Sequence, residues 1–479
     1  MKFYSSFFPG ARRTARPTTN GGHGALGQRA LVGGASFLVA REGNSGGKIE
    51  TKIGLDDLLF YGEMVGETIS RRGRFTMQAK KMNRRRFLLT TGMLGTGFTL
   101  IQAEQVRGTK ANQKIKIGLV GCGNRGRWIT GLFLKHGGYE VVAVADYFRD
   151  RADRAGAQFQ IPESHRFDGL SGYKRLLETE VEAVVIESPP YFHAEQAWQS
   201  VLAGKHVYIA KPIGVDVPSC QLVEAAGKRA RREGRVFLVD FQTRASPDYQ
   251  EVVRRVRAGQ IGRIVCGEAS YHCGPTWGHF RTFLQGKETD PEARLRAWGI
   301  DRVLSGDVIV EQNIHALDVA TWFLDAAPIK ACGTGGLARG FGTCWDHWSV
   351  IFYFPNDVIV TFNSKQFGHG YDDICCRMYG TEGTADTHYF GKVVLEGKND
   401  VYRGGNPALY QKGAEWNIAS FYKAVVQGDA SNPTVEPSVR SNLTCILGRM
   451  AAYQGEEVTW REMIARAEKW EFDTSGLKA

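Results

Sequence analysis

An apolar run, Lys116-Ile117-Gly118-Leu119-Val120, breaks into Gly121-Cys122-Gly123-Asn124-Arg125-Gly126 and then into a helix-like segment. A strand that must turn sharply into a helix leaves few folds open. Gly121, Gly123 and Gly126 keep the G-x-G-x-x-G spacing: one glycine for a tight turn, one for close approach of a pyrophosphate, one for helix packing on strand. In a chain with 58 glycines the same spacing also fits an ordinary strand-to-helix turn. The surrounding chain therefore decides its meaning.

The run Ile115–Val120 reads as a buried strand and Arg125–Lys135 as the following helix, after which Glu140–Ala145 reads as a second strand ending at Asp146. An acid about 20 residues beyond the turn, at the end of the second strand, hydrogen-bonds ribose hydroxyls and repels a 2′-phosphate, so NAD is expected in preference to NADP. Tyr147 and Arg149 keep NADP open, since an arginine there meets a phosphate. Strand and helix then alternate: Ala183–Ile186, His193–Ala203, His206–Ile209, Pro218–Glu233 and Val236–Val239. This order implies a parallel sheet covered on both faces, with ligands at the carboxyl ends of its strands. Those ends carry Asp146, the Ser188–His193 loop, the Ala210-Lys211-Pro212 turn and the Asp240–Arg244 stretch.

Beyond residue 242 the pattern changes. Helical segments at Tyr249–Ala258 and, at least in part, Asp307–Leu324 mix with alternating strands at Ile264–Tyr271, Trp348–Phe354, Asp357–Asn363 and Cys376–Tyr379. The expected fold class is α/β: an N-terminal Rossmann dinucleotide-binding domain over 113–241, then an α+β domain with a mixed or antiparallel open sheet over 242–465.

The formal charge of +11 lies mostly in the leader: residues 1–86 hold sixteen Lys/Arg against six Asp/Glu, and the remainder is nearly neutral. A nucleic-acid partner is not expected. The nine cysteines form no C-x-x-C and no zinc-spaced His/Cys set, so no metal is expected. Within Asn83-Arg84-Arg85-Arg86-Phe87-Leu88-Leu89, arginines precede Phe-Leu, and an uncharged stretch runs from Thr90 to Ala103. Residues 82–103 resemble a twin-arginine export signal, which implies a periplasmic or otherwise exported protein without stable membrane insertion after cleavage. Residues 1–81 read as disordered or as a misassigned gene start, with Met82 or Met77 as the expected true start.

Gly204-Lys205-His206-Val207-Tyr208-Ile209-Ala210-Lys211-Pro212, with the glycine turn, the Pro189/His193 loop and Glu311-Gln312-Asn313-Ile314-His315-Ala316-Leu317-Asp318, resembles the Gfo/Idh/MocA family, named for glucose-fructose oxidoreductase and inositol dehydrogenase. The likeness covers about residues 113–465. It implies hydride transfer between NAD(P) and a sugar or polyol hydroxyl, and oligomer contacts through the C-terminal sheet. The family's Glu-Lys-Pro is Ala210-Lys211-Pro212 here, and its Asp-x-Gly-x-His is Glu311-Gln312-Asn313-Ile314-His315. His315 is expected as the base and Lys211 as the cation facing alkoxide charge. Glu311, four residues before His315, is expected on the same helical face, orienting the imidazole or holding a hydroxyl. With alanine at 210, the Lys211 pKa is expected to fall.

Cofactor contacts are expected from Gly121, Gly123, Asn124, Arg125, Gly126, Asp146, Pro189, His193 and Lys211, and substrate contacts from Tyr191, Tyr271 and His347. Two activities fit: an oxidoreductase on a sugar, polyol or glycoside with tightly bound NAD, or a glycoside hydrolase or lyase working by transient oxidation, elimination and re-reduction. A non-catalytic sugar binder is the third reading, prompted by Ala210.

Overall fold

The computed structural model describes residues 114–479. The expected export signal and the segment before it lie outside these residues. Among the described residues no helix is long and apolar enough to cross a membrane.

The first sheet is built from β1 (Ile115–Val120), β2 (Tyr139–Asp146), β3 (Arg166–Asp168), β4 (Ala183–Ile186), β5 (His206–Ala210) and β6 (Phe237–Asp240). They are parallel, in the order β3-β2-β1-β4-β5-β6. This is the dinucleotide-binding order, whose switch point falls between β1 and β4. The strands are near-continuous Val, Ile, Leu and Ala because helices cover both faces. Those helices include α1 (Asn124–His136), α2 (Arg149–Phe159), α3 (Pro190–Leu202) and α4 (Val217–Arg232). α3 starts three residues before its expected position because Pro190 takes the first helical place, where its missing N–H costs nothing. α4 begins with a reciprocal cap between Asp216 and Ser219.

After α5 (Pro247–Arg257) the chain builds a second sheet from β7 (Ile264–Cys273), β8 (Lys330–Gly336), β9 (His347–Tyr353), β10 (Ile359–Gln366), β11 (Asp373–Gly380), β12 (Gly383–His388), β13 (Val393–Gly397), β14 (Val401–Gly404) and β15 (Val458–Thr459). Its order is β14-β13-β12-β11-β7-β10-β9-β8-β15, antiparallel except for β7 with β10. One face buries Trp348, Val350, Phe352, Val360 and Phe362. The alternate residues Ile351, Ile359 and Tyr379 stand on the open face.

The expected helix over Asp307–Leu324 is two helices, α6 (Val308–Glu311) and α7 (Ile314–Leu324). The Asn313 N–H reaches back five residues to the Val308 carbonyl, which interrupts the regular turn at Gln312-Asn313. α8 (Leu409–Gln427) returns to the first sheet, while α9 (Val435–Gln454) lies between α4 and the second sheet, packed on β8 and β9. Ala414, Ile418 and Phe421 of α8 join the core beneath β1 and β2, and the Tyr139 hydroxyl donates to the Ile418 carbonyl at 2.7 Å.

Candidate active site

The three glycines of the turn have different jobs. Gly121 sits at φ 95°, and a Cβ there would collide with the backbone of Glu187 and Ser188. A Cβ on Gly126 would strike the Gly121 carbonyl. A Cβ on Gly123 would meet nothing within 4 Å, so that glycine faces open space at the start of α1. Gly123 makes no side-chain cap and the first turn of α1 holds no acid, so the helix amides are free to receive an anion. A dinucleotide pyrophosphate fits this arrangement. The neighbouring cleft, about 520 Å³ with its solvent-open part, is lined by Gly121, Asp146, Phe148, Arg151, Gly169 and Pro189 among others.

Asp146 accepts from the Cys122 N–H at 2.8 Å and the Phe148 N–H at 2.9 Å. It therefore braces the glycine turn while lining the cleft. Burial raises its pKa, against those two bonds and the Arg151 charge. The arginine on this cleft is Arg151; Arg149, the residue expected to meet a 2′-phosphate, is paired with Asp153 at 2.9 Å.

Arg125 is not directed at the pyrophosphate position. Its guanidinium turns inward, 3.0 Å from Glu187 and 2.6 Å from Asp240, and donates to the Tyr410 hydroxyl at 2.9 Å. Two buried carboxylates outweigh the exposed turn for a guanidinium that cannot deprotonate. The Asn124 side chain accepts from Arg127 at 3.0 Å.

Lys211 emerges at the end of β5 and donates to the Glu311 carbonyl at 2.6 Å, with the Glu311 carboxylate 3.5 Å away. Glu311 thus grips Lys211 and does not orient His315, because the break after α6 takes the two out of helical register. The Lys211 pKa is lowered, first by burial; Glu311 opposes this and Arg125 adds to it. His315 is 8 % exposed, with its ring 5.1 Å from that of Tyr389. Burial, then Lys211 and Arg125, hold its pKa well below the usual imidazole value, so it is neutral at pH 7.

The polar atoms around this point are buried and unmatched: His315 Nδ1, Glu311 Oε2 and both amide atoms of Asn313 have no hydrogen-bond partner among the described residues. Buried polar atoms left unpaired are costly unless a ligand completes them. Asn313 was missed in sequence, although it lies inside the Glu311–His315 motif. Glu187, Tyr389 and Tyr410 were also missed.

His193 is buried, with Nδ1 2.7 Å from the Pro212 carbonyl and Nε2 2.7 Å from the Ser188 carbonyl. It ties the β4 and β5 loops together and presents no free nitrogen. Burial takes its pKa down to about 4, against the two carbonyls, which favour the charged ring. The Tyr191 hydroxyl accepts from the Phe472 N–H at 3.2 Å, so Tyr191 faces the C-terminal segment. Tyr271 stays with the site: Glu311 and Tyr410 add to the burial that raises its pKa. His347 does not belong to it. Its neighbour Trp348 points into the core, which puts the His347 side chain on the opposite face of the sheet, paired with Asp346 at 2.8 Å and set against Phe367.

The segment 468–479 runs past the cleft and meets its rim at Tyr147, Gly169 and Leu170. The Trp470 N–H donates to Asp216 at 2.8 Å, Phe472 packs beside Tyr191, the Lys478 N–H donates to the Tyr147 hydroxyl at 3.2 Å, and the Leu170 N–H donates to the Lys478 carbonyl at 2.9 Å.

Residues 115–241 match the family described as "Oxidoreductase family, NAD-binding Rossmann fold", and residues 249–386 match "GFO/IDH/MocA C-terminal domain", together more than half of the chain. The chain belongs to the Gfo/Idh/MocA family of oxidoreductases. It is 22% identical over 279 residues to scyllo-inositol 2-dehydrogenase (NAD(+)) of Bacillus subtilis, covering 57% of this chain and 73% of that one. It is 27% identical over 215 residues to a glycosyl hydrolase family 109 protein of Shewanella pealeana, covering 40% and 46%. In fold it is similar to levoglucosan dehydrogenase solved with NADH and levoglucosan, with a TM-score of 0.59 at 18% identity, over 72% of this chain and 99% of that one.

Proposed function

We propose that this family member oxidises a hydroxyl of a sugar, polyol or glycoside with a tightly held NAD. The observation that carries the reading is the set of buried atoms without hydrogen-bond partners on Asn313, Glu311 and His315, in one motif whose Glu311 carbonyl receives the Lys211 ammonium. Such a set matches the donors and acceptors of vicinal hydroxyls. Gly123 and the α1 amides would hold the pyrophosphate and Asp146 the ribose. NAD, when bound, would supply the acceptor for the hydride of the carbinol C–H. The chain supplies the rest: neutral His315 accepts the hydroxyl proton at Nδ1 as the C=O bond forms, and Lys211 stabilises the developing alkoxide. Glu311 keeps Lys211 aimed. The test is mass spectrometry of nucleotide released from the purified protein, followed by exchange of labelled hydride from candidate sugars. Recovery of NADP alone refutes the Asp146 argument, and absence of exchange with every sugar refutes the activity.

The segment 468–479 favours a second reading, since its backbone bonds to Tyr147 and Leu170 on the cleft rim and to Tyr191 would slow exchange of a bound cofactor, which suits turnover without net NAD exchange. In that chemistry transient oxidation acidifies the neighbouring C–H, the glycosidic substituent is eliminated, and the hydride returns. The similarity to a glycosyl hydrolase family 109 protein supports it. Aryl glycosides separate the two: aglycone release without NADH accumulation favours the second, and net keto-sugar favours the first.

Export through the twin-arginine route and self-association through the open face of the second sheet complete the proposal. Cell fractionation tests export and light scattering of the purified protein tests self-association, with a wholly cytoplasmic protein or a monomer sinking the respective part; a peptide from residues 1–70 in the native precursor sinks the start at Met82 or Met77.

A further inference from the structure

The resemblance puts a glutamate where this chain has Ala210, and the sheet register shows what stands beside the gap. Ile186 of β4 is opposite Ile209 of β5, so Glu187 lies alongside Ala210. The Glu187 side chain is 0 % exposed. Its one close partner is Arg125 Nε at 3.0 Å, and neither oxygen has a hydrogen bond among the described residues. Arg125 continues to Asp240 at the end of β6, and its charge reaches Lys211. The ends of three adjacent strands therefore present carboxylate, ammonium and carboxylate, with the Arg125 guanidinium drawn against the two acids from the glycine turn.

We propose that Glu187 is the positioning carboxylate of this site, supplied by β4 in place of β5: it offsets Arg125 under the glycine turn and so keeps Lys211 protonated. A buried ammonium and a half-buried guanidinium at close range each destabilise the other's charge, and Arg125 cannot give up its proton, so the cost falls on Lys211. The groups facing Glu187 are Arg125 from the turn, Tyr208 and Lys211 from β5, and Asp240 from β6, with Glu311 beyond Lys211 and Tyr410 beyond Arg125. Burial, with Asp240 adding and Arg125 and Lys211 opposing, lifts the Glu187 carboxyl up to about 7. Its ionisation therefore falls in the working range. As pH rises through neutrality Glu187 gains its charge and Lys211 is held as ammonium more firmly.

The catalytic consequence rests on the oxidoreductase reading, but the charge relation does not. Lys211 protonation is measured in the full chain by competitive reductive methylation against pH, read on its peptide by mass spectrometry, with Lys330 as control. In Glu187→Gln and Glu187→Ala the midpoint for Lys211 falls by about one pH unit or more, and adding Ala210→Glu to Glu187→Ala brings it back. Glu187→Gln preserves shape and carries the test if Glu187→Ala fails to fold. A Lys211 midpoint unmoved in Glu187→Gln overturns the proposal. With a substrate in hand, Glu187→Gln lowers kcat at least about tenfold with KM little changed, and flattens the rise of kcat through about pH 7. A shifted Lys211 in a protein that oxidises no sugar upholds the proposal and removes the oxidoreductase reading; turnover with an unmoved Lys211 does the reverse.

Discussion

Gly123→Ala separates what the glycine turn does for the fold from what it does for the ligand. Gly123 has φ −66° and ψ −173°, a conformation open to alanine, and the added Cβ meets no atom within 4 Å. At a helix N-cap, alanine is worse than glycine by about 1 kcal/mol, and a less flexible unfolded chain returns about 0.4 to 1 kcal/mol. The two nearly cancel, so the apo protein should keep its Tm within about 3 °C. Binding is different, because the methyl occupies the space in which a pyrophosphate must approach the α1 amides. Losing two charge-assisted bonds of about 1.5 to 3 kcal/mol each weakens NAD by roughly 10²- to 10⁴-fold. Differential scanning fluorimetry gives the first number and NADH titration by tryptophan quenching the second. Gly126→Ala is the contrast, since its Cβ strikes the Gly121 carbonyl and must lower Tm itself. A Gly123→Ala protein that binds NAD within threefold of the parent would refute the placement of the pyrophosphate.

Lys211→Met should leave NAD affinity within a few-fold and reduce hydride exchange by about 10²- to 10⁴-fold, measured with labelled substrate in single turnover. Asp146→Ser should cut the preference for NAD over NADP by about tenfold, because Arg151 already stands on the cleft to meet a phosphate; competitive binding of the two nucleotides checks it. His206 accepts the Val236 N–H at 2.8 Å, and burial takes its pKa down to about 4. The unfolded imidazole binds its proton near pH 6.5 and the folded one does not, so stability falls as pH drops through that window. Urea unfolding at pH 7 and pH 5 should show His206→Asn losing about 2 kcal/mol less than the parent between them. Removing residues 468–479 should speed release of bound NAD at least about tenfold in a filter-binding chase, with the fold kept.

Five of the six strands of the first sheet were legible because buried parallel strands are unbroken apolar runs. β3 is three residues long at an edge and carries no such run. In the second sheet β8 is Lys-Ala-Cys-Gly-Thr-Gly-Gly and β12 is Gly-Thr-Ala-Asp-Thr-His, compositions that pairing with neighbouring strands makes into sheet although propensity does not. Lys211, Glu311 and His315 could be named only through the family resemblance of their motifs. Their mutual arrangement could not, since one irregular turn at Gln312-Asn313 redirects Glu311 from His315 to Lys211. Spacing likewise places Arg125 in the glycine turn but says nothing about which way its side chain points. Only the position of Glu187 and Asp240 at the ends of β4 and β6, on either side of β5, settles that. The strap of residues 468–479 has neither helical nor strand periodicity, and its role appears only when its backbone is seen bonded to Tyr147, Leu170 and Tyr191.

α8 and α9 come late in the chain, after eight strands of the second sheet, yet they also hold the first. Asn432 and Thr434, in the link between them, receive the backbone N–H groups of Phe237 and Val239 at 2.8 and 3.0 Å, and Asn442 receives that of Ile213 at 3.0 Å. A chimera that joins the first 241 residues to the C-terminal half of another family member would import foreign helices into this nucleotide domain. Substrate ranges cannot be traded between relatives by a single splice at the sequence boundary. α9 is shared by both halves, since it also packs on β8 and β9, so the nucleotide domain and the second sheet must be inherited together.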